Sequence, residues 1–243
     1  MNDPAQNSRA HARGGSQDKI WSHFQNADPD SFAAAKPRLE SIVRAIAGKL
    51  KSPRPKVLNI GIGSGHFEQT AVARGFEVHA LDPDAVAIER LSAAGVQGQV
   101  GYIEQMPFEA EQFEAVVASE VLEHLHDEQR SAGLREIARV LKPGGWFLGT
   151  VPYNENLKAG DVVCPCCGAL FHRWGHQKSF TLANLQAELQ PLFEVRELRR
   201  TAFVSFRDRG AFGKLKSIAR LVLARAGQMI AVPSIFWAAK VRK

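Results

Sequence analysis

From Val57 onward, short apolar segments alternate with amphipathic segments, and this alternation constrains the fold more than any other feature. Four apolar segments have the length of strands: VLNIG, FEVHALD, FEAVVAS and WFLGTV. The intervening segments, such as HFEQTAVAR and the stretch that ends in REIARVL, have the composition and spacing of helices. Strands that alternate with helices form a parallel sheet with helices on both faces. The chain therefore predicts an α/β fold.

The remaining segments predict the domain organisation. A chain of 243 residues with 45% hydrophobic and 23% charged residues is typical of one large soluble domain with small appendages. We predict disorder over residues 1–18, helices within 19–52, a catalytic domain over 53–207 with a Cys/His loop at 160–180, and a basic amphipathic tail over 208–243. After the loop, TLANLQAEL predicts a helix, and FEVREL and AFVSF predict strands.

The basic tail predicts contact with an anionic surface. Residues 57–195 have a net charge of −9, whereas residues 196–243 have +10. The tail combines Lys214–Arg225 with the apolar run MIAVPSIFWAA, as an interfacial helix does. No segment predicts a signal peptide or a membrane span, so we expect a cytoplasmic protein, peripheral on the inner membrane surface if the tail binds lipid. The alternative is a C-terminal helix that covers the domain or forms a dimer contact.

A glycine-rich loop joins the first predicted strand to the following helix. Its sequence, NIGIGSG, places glycine at 61, 63 and 65. Glycines let a backbone turn tightly and approach a ligand closely, with a helix N-terminus behind the loop. A dinucleotide site requires G-x-G-x-x-G, and His66 stands where the third glycine would be. The loop therefore disfavours a nicotinamide cofactor.

The G-x-G-x-G spacing resembles motif I of the class I S-adenosylmethionine (SAM) dependent methyltransferases. The resemblance continues through GYIEQMPF, EVLEHL and REIARVLKPGG. It implies a Rossmann-like fold with a mostly parallel seven-stranded sheet, SAM as the cofactor, and Asp82 as the acceptor of hydrogen bonds from the ribose. Asn59 stands where the family usually carries an acid. The residues expected around SAM are Asn59, Gly61, Gly63, Gly65, Asp82, Pro83, Tyr102, Ile103 and Glu120.

The stretch ASEVLEHLHD has two interpretations. Glu120, Glu123 and His124 have the three- and four-residue spacings of one helix face. In the first interpretation the stretch is an ordinary helix start, with Ser119 as the N-cap and Glu120 at the positive end of the helix dipole. In the second, the three side chains converge on a divalent cation.

The second interpretation rests on a resemblance. E-x-x-E-H with a later histidine is similar to the pattern of metal-dependent small-RNA 2′-O-methyltransferases and ubiquinone-pathway O-methyltransferases. It implies Glu120, Glu123, His124 and His176 as ligands of Mg²⁺ or Mn²⁺, with Zn²⁺ also tolerated. A bound metal would lower the pKa of a substrate hydroxyl. Without a metal, His124 or His176 would act as the general base.

The three cysteines form a second candidate metal site. Cys164 and Cys167 have the C-x-x-C spacing of half a structural zinc site, with Cys166 or His172 as a further ligand. In a reducing compartment a metal is a better expectation than a disulfide. The alternative is a reduced loop without metal.

These features together predict a SAM-dependent methyltransferase that modifies an oxygen of a small-molecule, lipid or glycan acceptor. RNA methylation is an alternative, although no RNA-binding module and no basic stripe interleaved with aromatic residues is present in the sequence. A third alternative is a SAM-fold protein that binds partners without catalysis.

Overall fold

The computed structural model describes residues 15–203, 219, 222 and 233–243. Within these residues, the α-helices are α1 (Gly15–Asn26), α2 (Lys36–Lys49), α3 (His66–Val72), α4 (Ala85–Ser92), α5 (Asp127–Val140) and α6 (Leu182–Leu189). Short 3₁₀ helices span Pro29–Ala35, Leu122–His124 and Leu157–Gly160. The strands are β1 (Lys56–Ile60), β2 (Glu77–Asp82), β3 (Gln97–Val100), β4 (Phe113–Ser119), β5 (Leu141–Pro152), β6 (Asp161–Val163), β7 (Leu170–His172), β8 (Phe193–Thr201) and β9 (Ser234–Val241).

Seven strands form one mostly parallel sheet, which confirms the predicted fold class. The strand order is β3-β2-β1-β4-β5-β9-β8, and β9 is antiparallel to both of its neighbours. The pairs β1–β2, β1–β4, β2–β3 and β4–β5 are parallel. The carboxyl ends of β1, β2 and β4 therefore meet at one edge, where ligands bind in folds of this kind. The remaining strands, β6 and β7, pair with each other as a separate hairpin.

Helices cover both faces of the sheet because each central strand buries its side chains in both directions. In β1, Leu58 and Ile60 pack in one apolar cluster with residues of α5 and α6. Val57 packs in a second cluster with residues of α2, α3 and α4. Neighbouring residues of a strand point to opposite faces, so continuous apolar runs such as VLNI suit a strand with helices on both sides.

The C-terminal apolar run belongs to the sheet, which corrects the predicted tail at 208–243. Ser234–Val241 is β9, and Ile235 to Ala239 are buried between β5 and β8. A strand that is buried on both faces has a nearly continuous apolar sequence. The same sequence, next to basic residues, also fits an interfacial helix. The domain therefore extends beyond the predicted boundary at 207. The basic segment 214–225 falls outside the described residues except at 219 and 222, so its membrane contact stays a prediction.

Smaller differences concern the ends of elements. Helix α1 begins at Gly15, so residues 15–18 are helical rather than part of a disordered start, and residues 1–14 lie outside the described part. Strand β5 begins at Leu141 and includes the KPGG segment that the sequence predicted as a turn. Of the predicted strand AFVSF, Ala202 and Phe203 follow the end of β8, and the rest is outside the described residues. None of the described helices has the length and apolar character that a membrane span requires.

Candidate active site

The glycine loop lies at the carboxyl end of β1 and has a backbone that excludes larger residues. Gly61 has a φ of +75°, and a Cβ atom there would lie 2.9 Å from Cγ2 of Val121. Gly65 has a φ of +80°, and its Cβ would lie 2.7 Å from Cδ2 of Leu91. Positive φ values are readily adopted only by glycine. Both the conformation and the space at these two positions therefore require glycine.

Asp82 ends β2 beside this loop and is held by backbone hydrogen bonds. Its Oδ2 accepts from the backbone N–H of Ile62, and its Oδ1 accepts from the backbone N–H of Asp84, both at 2.9 Å. Burial raises the pKa of the Asp82 carboxyl, and these hydrogen bonds oppose the rise because they favour the ionised form. The carboxylate thus has a fixed position at the strand end, where the resemblance places the ribose.

Gln25 of α1 also contacts Asp82, and the sequence analysis missed it. Its Nε2 donates to Oδ2 of Asp82 at 2.9 Å, and its buried Oε1 has no hydrogen-bond partner. Arg90 of α4 donates to the backbone oxygen of Gln25 at 2.9 Å, which ties α1 to the domain. No motif marks Gln25, because its role depends on how α1 packs over the loop.

Asn59 contacts a buried acid. Its Nδ2 donates to Oε1 of Glu68 on α3 at 2.6 Å. Burial raises the pKa of Glu68 to about 7, although the hydrogen bond from Asn59 opposes the rise. A carboxyl group therefore does lie next to position 59, but it comes from α3 rather than from β1.

These residues border a cavity of about 940 Å³. Eight of the nine residues predicted around SAM line it: Asn59, Gly61, Gly63, Asp82, Pro83, Tyr102, Ile103 and Glu120. The ninth, Gly65, lies at the start of α3 instead. A volume of this size is sufficient for a cofactor together with a small acceptor.

The segment EVLEH does not form the predicted capped helix. Ser119 ends β4, and its Oγ hydrogen-bonds with Oγ1 of Thr150 at 2.9 Å. Glu120 has a φ of +57°, so the backbone turns there, and only Leu122–His124 form a 3₁₀ helix. Helix α5 begins later, at Asp127. The spacing argument for one shared helix face is therefore wrong.

Glu120 faces Arg38 rather than the other predicted metal ligands. Nη1 of Arg38 lies 4.0 Å from Oε1 of Glu120. Nε of Arg38 donates to Oγ of Ser119 at 3.1 Å. Arg38 lines the cavity from α2 and was missed by the sequence analysis. Of the four predicted metal ligands, the structure brings together three.

Those three are Glu123, His124 and His176, and one ligand atom of each lies within 4.8 Å of the other two. Glu123 is fully buried, and neither of its carboxyl oxygens has a hydrogen-bond partner. Nδ1 of His124 is also buried without a partner. Two unpartnered oxygens and an unpartnered imidazole nitrogen form the mixed donor set that a divalent cation accepts.

The electrostatics of this cluster agree with a cation site. Burial raises the pKa of Glu123 well above its ordinary value, and the nearby charge of Glu120 raises it further. Burial lowers the pKa of His124 to about 3, and the adjacent His176 lowers it too. His124 is therefore neutral at physiological pH, as a metal ligand must be, and a bound cation would restore the charge of Glu123.

His176 reaches the cluster from the segment that follows the β6–β7 hairpin. Its Nδ1 is hydrogen-bonded to Oε2 of Glu155 at 2.5 Å, and Glu155 also lies near His172. The backbone N–H groups of Gln177 and Lys178 donate to the backbone oxygen of Glu123, at 2.7 and 3.2 Å. Burial tends to raise the pKa of Glu155, but the hydrogen bond with His176 holds it below its ordinary value. Glu155 has no motif in the sequence.

The cysteine cluster does not include His172, which corrects one predicted ligand set. Cys164 and Cys167 lie in the turn between β6 and β7, whereas His172 pairs with Asp161 at the opposite end of the hairpin. The three strand residues between these ends separate them by about 10 Å. Hydrogen bonds from the backbone of Cys167 and Cys166 lower the pKa of the Cys164 thiol. Such N–H···S bonds suit a metal-bound thiolate, so zinc binding by the cysteines alone stays a prediction.

Aromatic side chains form the wall of the cavity next to the histidines. The ring of Trp21 on α1 lies 4.9 Å from that of His124, in an edge-to-face arrangement. Trp174 stacks on Trp21 at 6.4 Å and contacts Phe24 at 5.2 Å. The cavity therefore has a polar side at the strand ends and an aromatic side next to the histidines.

The strand order, the glycine loop and the acid at the end of β2 are the arrangement that the resemblance to class I SAM-dependent methyltransferases implies. Comparison with known proteins agrees, since residues 58–149 match the family described as the methyltransferase domain.

Curated relatives and a solved structure are similar to the chain. It is 30% identical over 167 residues to the ubiquinone biosynthesis O-methyltransferase of Xanthomonas axonopodis pv. citri, covering 60% of this chain and 66% of that protein. It is 36% identical over 126 residues to the Pseudomonas putida protein of the same name, covering 47% and 49%. The chain thus spans about half to two thirds of these relatives. The structure of 1,6-didemethyltoxoflavin-N1-methyltransferase from Burkholderia thailandensis, with 1,6-didemethyltoxoflavin and S-adenosylhomocysteine (SAH) bound, superposes with a TM-score of 0.66 at 16% identity, covering 100% of this chain and 92% of that one. At that identity the likeness shows the fold alone.

Proposed function

We propose that the protein transfers the methyl group of SAM to an oxygen of its acceptor, with a divalent cation held by Glu123, His124 and His176. The observation that supports the cation is the fully buried carboxyl group of Glu123. Its two oxygens have no partner and lie beside an unpartnered nitrogen of His124. A buried polar group without a partner costs free energy, so such a cluster at a cavity favours a ligand that satisfies it.

The cofactor would be held by the strand-end residues. Asp82 would accept hydrogen bonds from the ribose, and Tyr102 and Ile103 would border the adenine. Arg38, which lines the same cavity, supplies a positive charge for the carboxylate of SAM. The loop from Gly61 to Gly65 lets the cofactor approach the backbone closely.

The methyl acceptor would bind between the cation ligands and the aromatic wall. A bound divalent cation lowers the pKa of a coordinated hydroxyl and orients its oxygen. With the cation bound, Glu123 would be ionised and supply negative charge to that site, and the neutral His124 would donate a lone pair to the cation. The proton that the hydroxyl loses would pass to water, because His176 as a cation ligand would use its Nε2 lone pair and its Nδ1 is engaged with Glu155.

A planar ring that carries a hydroxyl is the acceptor that this wall favours. Trp21, Phe24 and Trp174 offer ring faces and edges to such a molecule. The ubiquinone-pathway name of the curated relatives supports the same class, either as a small molecule or as the head group of a lipid. Of the small-molecule, lipid and glycan acceptors that the sequence predicts, the first two agree best with this wall.

The test uses the purified chain, methyl-labelled SAM and a panel of catechols, hydroxylated quinols and saccharides. We expect labelling of the ring hydroxyls, loss of labelling after EDTA treatment and recovery with Mn²⁺. Glu123→Gln should reduce the rate on the order of 100-fold, because the cation loses its carboxylate ligand. SAH affinity, measured by calorimetry, should not change.

The matched control is Glu128→Gln, an exposed glutamate at the start of α5. It should retain the wild-type rate and the response to EDTA. Full labelling in EDTA together with an active Glu123→Gln variant would refute the role of the cation. Labelling of saccharides alone would refute the proposed acceptor class.

A further inference from the structure

Two side-chain clusters share His176, and they differ in how their nitrogen and oxygen atoms are hydrogen-bonded. Glu123, His124 and His176 form the first, and Glu155, His172 and His176 form the second. Both have the composition of a metal site. The hydrogen bonds around His172 show which of the two clusters can hold a cation.

His172 has no nitrogen available for a metal. Its Nδ1 accepts hydrogen bonds from the backbone N–H groups of Trp174 at 3.3 Å and His176 at 3.1 Å. A nitrogen that accepts these bonds carries no hydrogen, so in the neutral ring the hydrogen is on Nε2. Nε2 is buried without a hydrogen-bond partner and lies 3.7 Å from Oε1 of Glu155. His172 therefore directs an N–H group at Glu155.

Glu155 in turn determines which nitrogen of His176 faces the cavity. Nδ1 of His176 lies 2.5 Å from Oε2 of Glu155. An ionised carboxylate can only accept a hydrogen bond, so Nδ1 is the nitrogen that carries the hydrogen. The lone pair of the neutral ring is then on Nε2. The rings of His172 and His176 are stacked, with centroids 4.7 Å apart and planes 19° apart, which limits rotation of His176.

We propose that Glu155 and His172 are positioning residues that hold His176 in its Nδ1–H tautomer, with the Nε2 lone pair directed to Glu123 and His124. The second cluster is thus the support of the first rather than another metal site. This inference rests on the proposed function, since it makes Nε2 of His176 a ligand of the proposed cation. A carboxylate behind a metal-bound imidazole fixes the ring and increases its basicity.

The hairpin is built closely around His172. A Cβ atom at Gly160 would lie 2.0 Å from Nε2 of His172, and the backbone N–H of Arg173 donates to the oxygen of Gly160 at 2.9 Å. His172 is 8% exposed, so it is almost completely enclosed. The ring of His172 therefore lies directly against the backbone of Gly160, and any larger residue at position 160 would displace it.

Metal binding provides the first test. We expect Glu155→Gln to weaken Mn²⁺ binding, measured by electron paramagnetic resonance, by roughly 10- to 100-fold. His172→Phe keeps the stacked ring but removes both the Nε2–H group and the Nδ1 acceptor of the backbone N–H groups of Trp174 and His176, and it should weaken binding by a smaller factor. Glu155→Asp, which retains a carboxylate, should recover part of the loss. SAH affinity should match that of the control Glu128→Gln in each case, and thermal unfolding should match it in the two Glu155 variants.

The tautomer of His176 provides a second test that needs no metal. Long-range ¹H–¹⁵N spectra of the histidine-labelled protein at pH 8 should show His176 with its hydrogen on Nδ1, assigned by loss of the signal in His176→Gln. In Glu155→Gln this preference should decrease. A hydrogen on Nε2 of His176 in the wild type, or unchanged Mn²⁺ affinity in Glu155→Gln, would overturn the inference. An Nδ1–H tautomer in a protein that does not bind Mn²⁺ would instead refute the proposed cation and leave the positioning role intact.

Discussion

The two sides of the cavity differ in how their side chains are held. On the cofactor side, the loop after β1 and Asp82 after β2 occupy strand ends, and backbone N–H groups fix the carboxylate. On the acceptor side, His176 and Glu155 come from segments on either side of a hairpin. A hydrogen bond between their side chains, rather than backbone N–H groups, fixes their positions. The cofactor side is therefore built into the sheet, whereas the acceptor side depends on how one insertion docks. We expect substitutions to separate these two sides cleanly.

The largest effect should come from Asp82→Ala. Loss of two charge-assisted hydrogen bonds to the ribose should weaken SAH binding about 1000-fold, as calorimetry would show. Mn²⁺ binding should persist, because Asp82 is not one of the proposed cation ligands. Asp161→Ala, an exposed aspartate in the hairpin, is the control and should retain SAH affinity. Wild-type SAH affinity in Asp82→Ala would show that the cofactor is not held at the strand end.

The same contrast explains what the sequence could and could not predict. The glycine loop and Asp82 follow from local rules, since a G-x-G-x-G turn and a strand end place their residues whatever the rest of the chain does. The EVLEH spacing was misread because the turn at Glu120 is not visible in the spacing of polar residues. Three of its predicted ligands nevertheless come together, through the 3₁₀ helix and the later segment with His176.

Two other features depended on tertiary structure alone. Glu155 becomes a neighbour of His176 only because the hairpin between them closes, and no sequence period marks that closure. Strand β9 has an apolar run with basic residues at its end, which fits both an interfacial helix and a buried strand. Its short length and the shortage of predicted strands for a seven-stranded sheet were the available signals for the second interpretation.

The next smaller effect is the pH dependence of folding stability caused by Glu68, which lies on the cofactor side. Its pKa is raised from 4.5 to about 7 in the folded protein. Between these values the folded state holds a proton that the unfolded state has released. Stability is therefore lost as pH rises from about 5 to 7, by roughly 3 kcal/mol in total.

Glu68→Gln should remove this loss, because glutamine keeps the hydrogen bond from Asn59 without an ionisable group. Urea unfolding at pH 5 and pH 8 should show equal stability of the two proteins at low pH and a more stable variant at high pH. Glu114→Gln, a carboxyl near the other end of the sheet, is the control. A constant difference between variant and wild type at both pH values would show that the pKa of Glu68 is ordinary.

The smallest effect should come from the aromatic wall. Trp174 is 40% exposed and stacks on Trp21, so its removal leaves the core intact. It also reduces the aromatic area that would contact a planar acceptor. Trp174→Ala should raise the KM for a ring-hydroxyl acceptor about tenfold, because one aromatic contact contributes roughly that factor to binding affinity. SAH affinity should not change, because Trp174 lies next to the histidines rather than beside the glycine loop.

The control separates loss of a contact from damage to the hairpin. Phe171 is an exposed aromatic residue on β7 of the same hairpin, and it does not line the cavity. If Phe171→Ala raises KM as much as Trp174→Ala does, the effect arises from loosening of the hairpin and not from the wall. If only Trp174→Ala does so, and Trp174→Phe recovers most of the affinity, the acceptor contacts that ring directly. The acceptor side then has its own determinant of specificity, independent of the sheet edge that holds the cofactor.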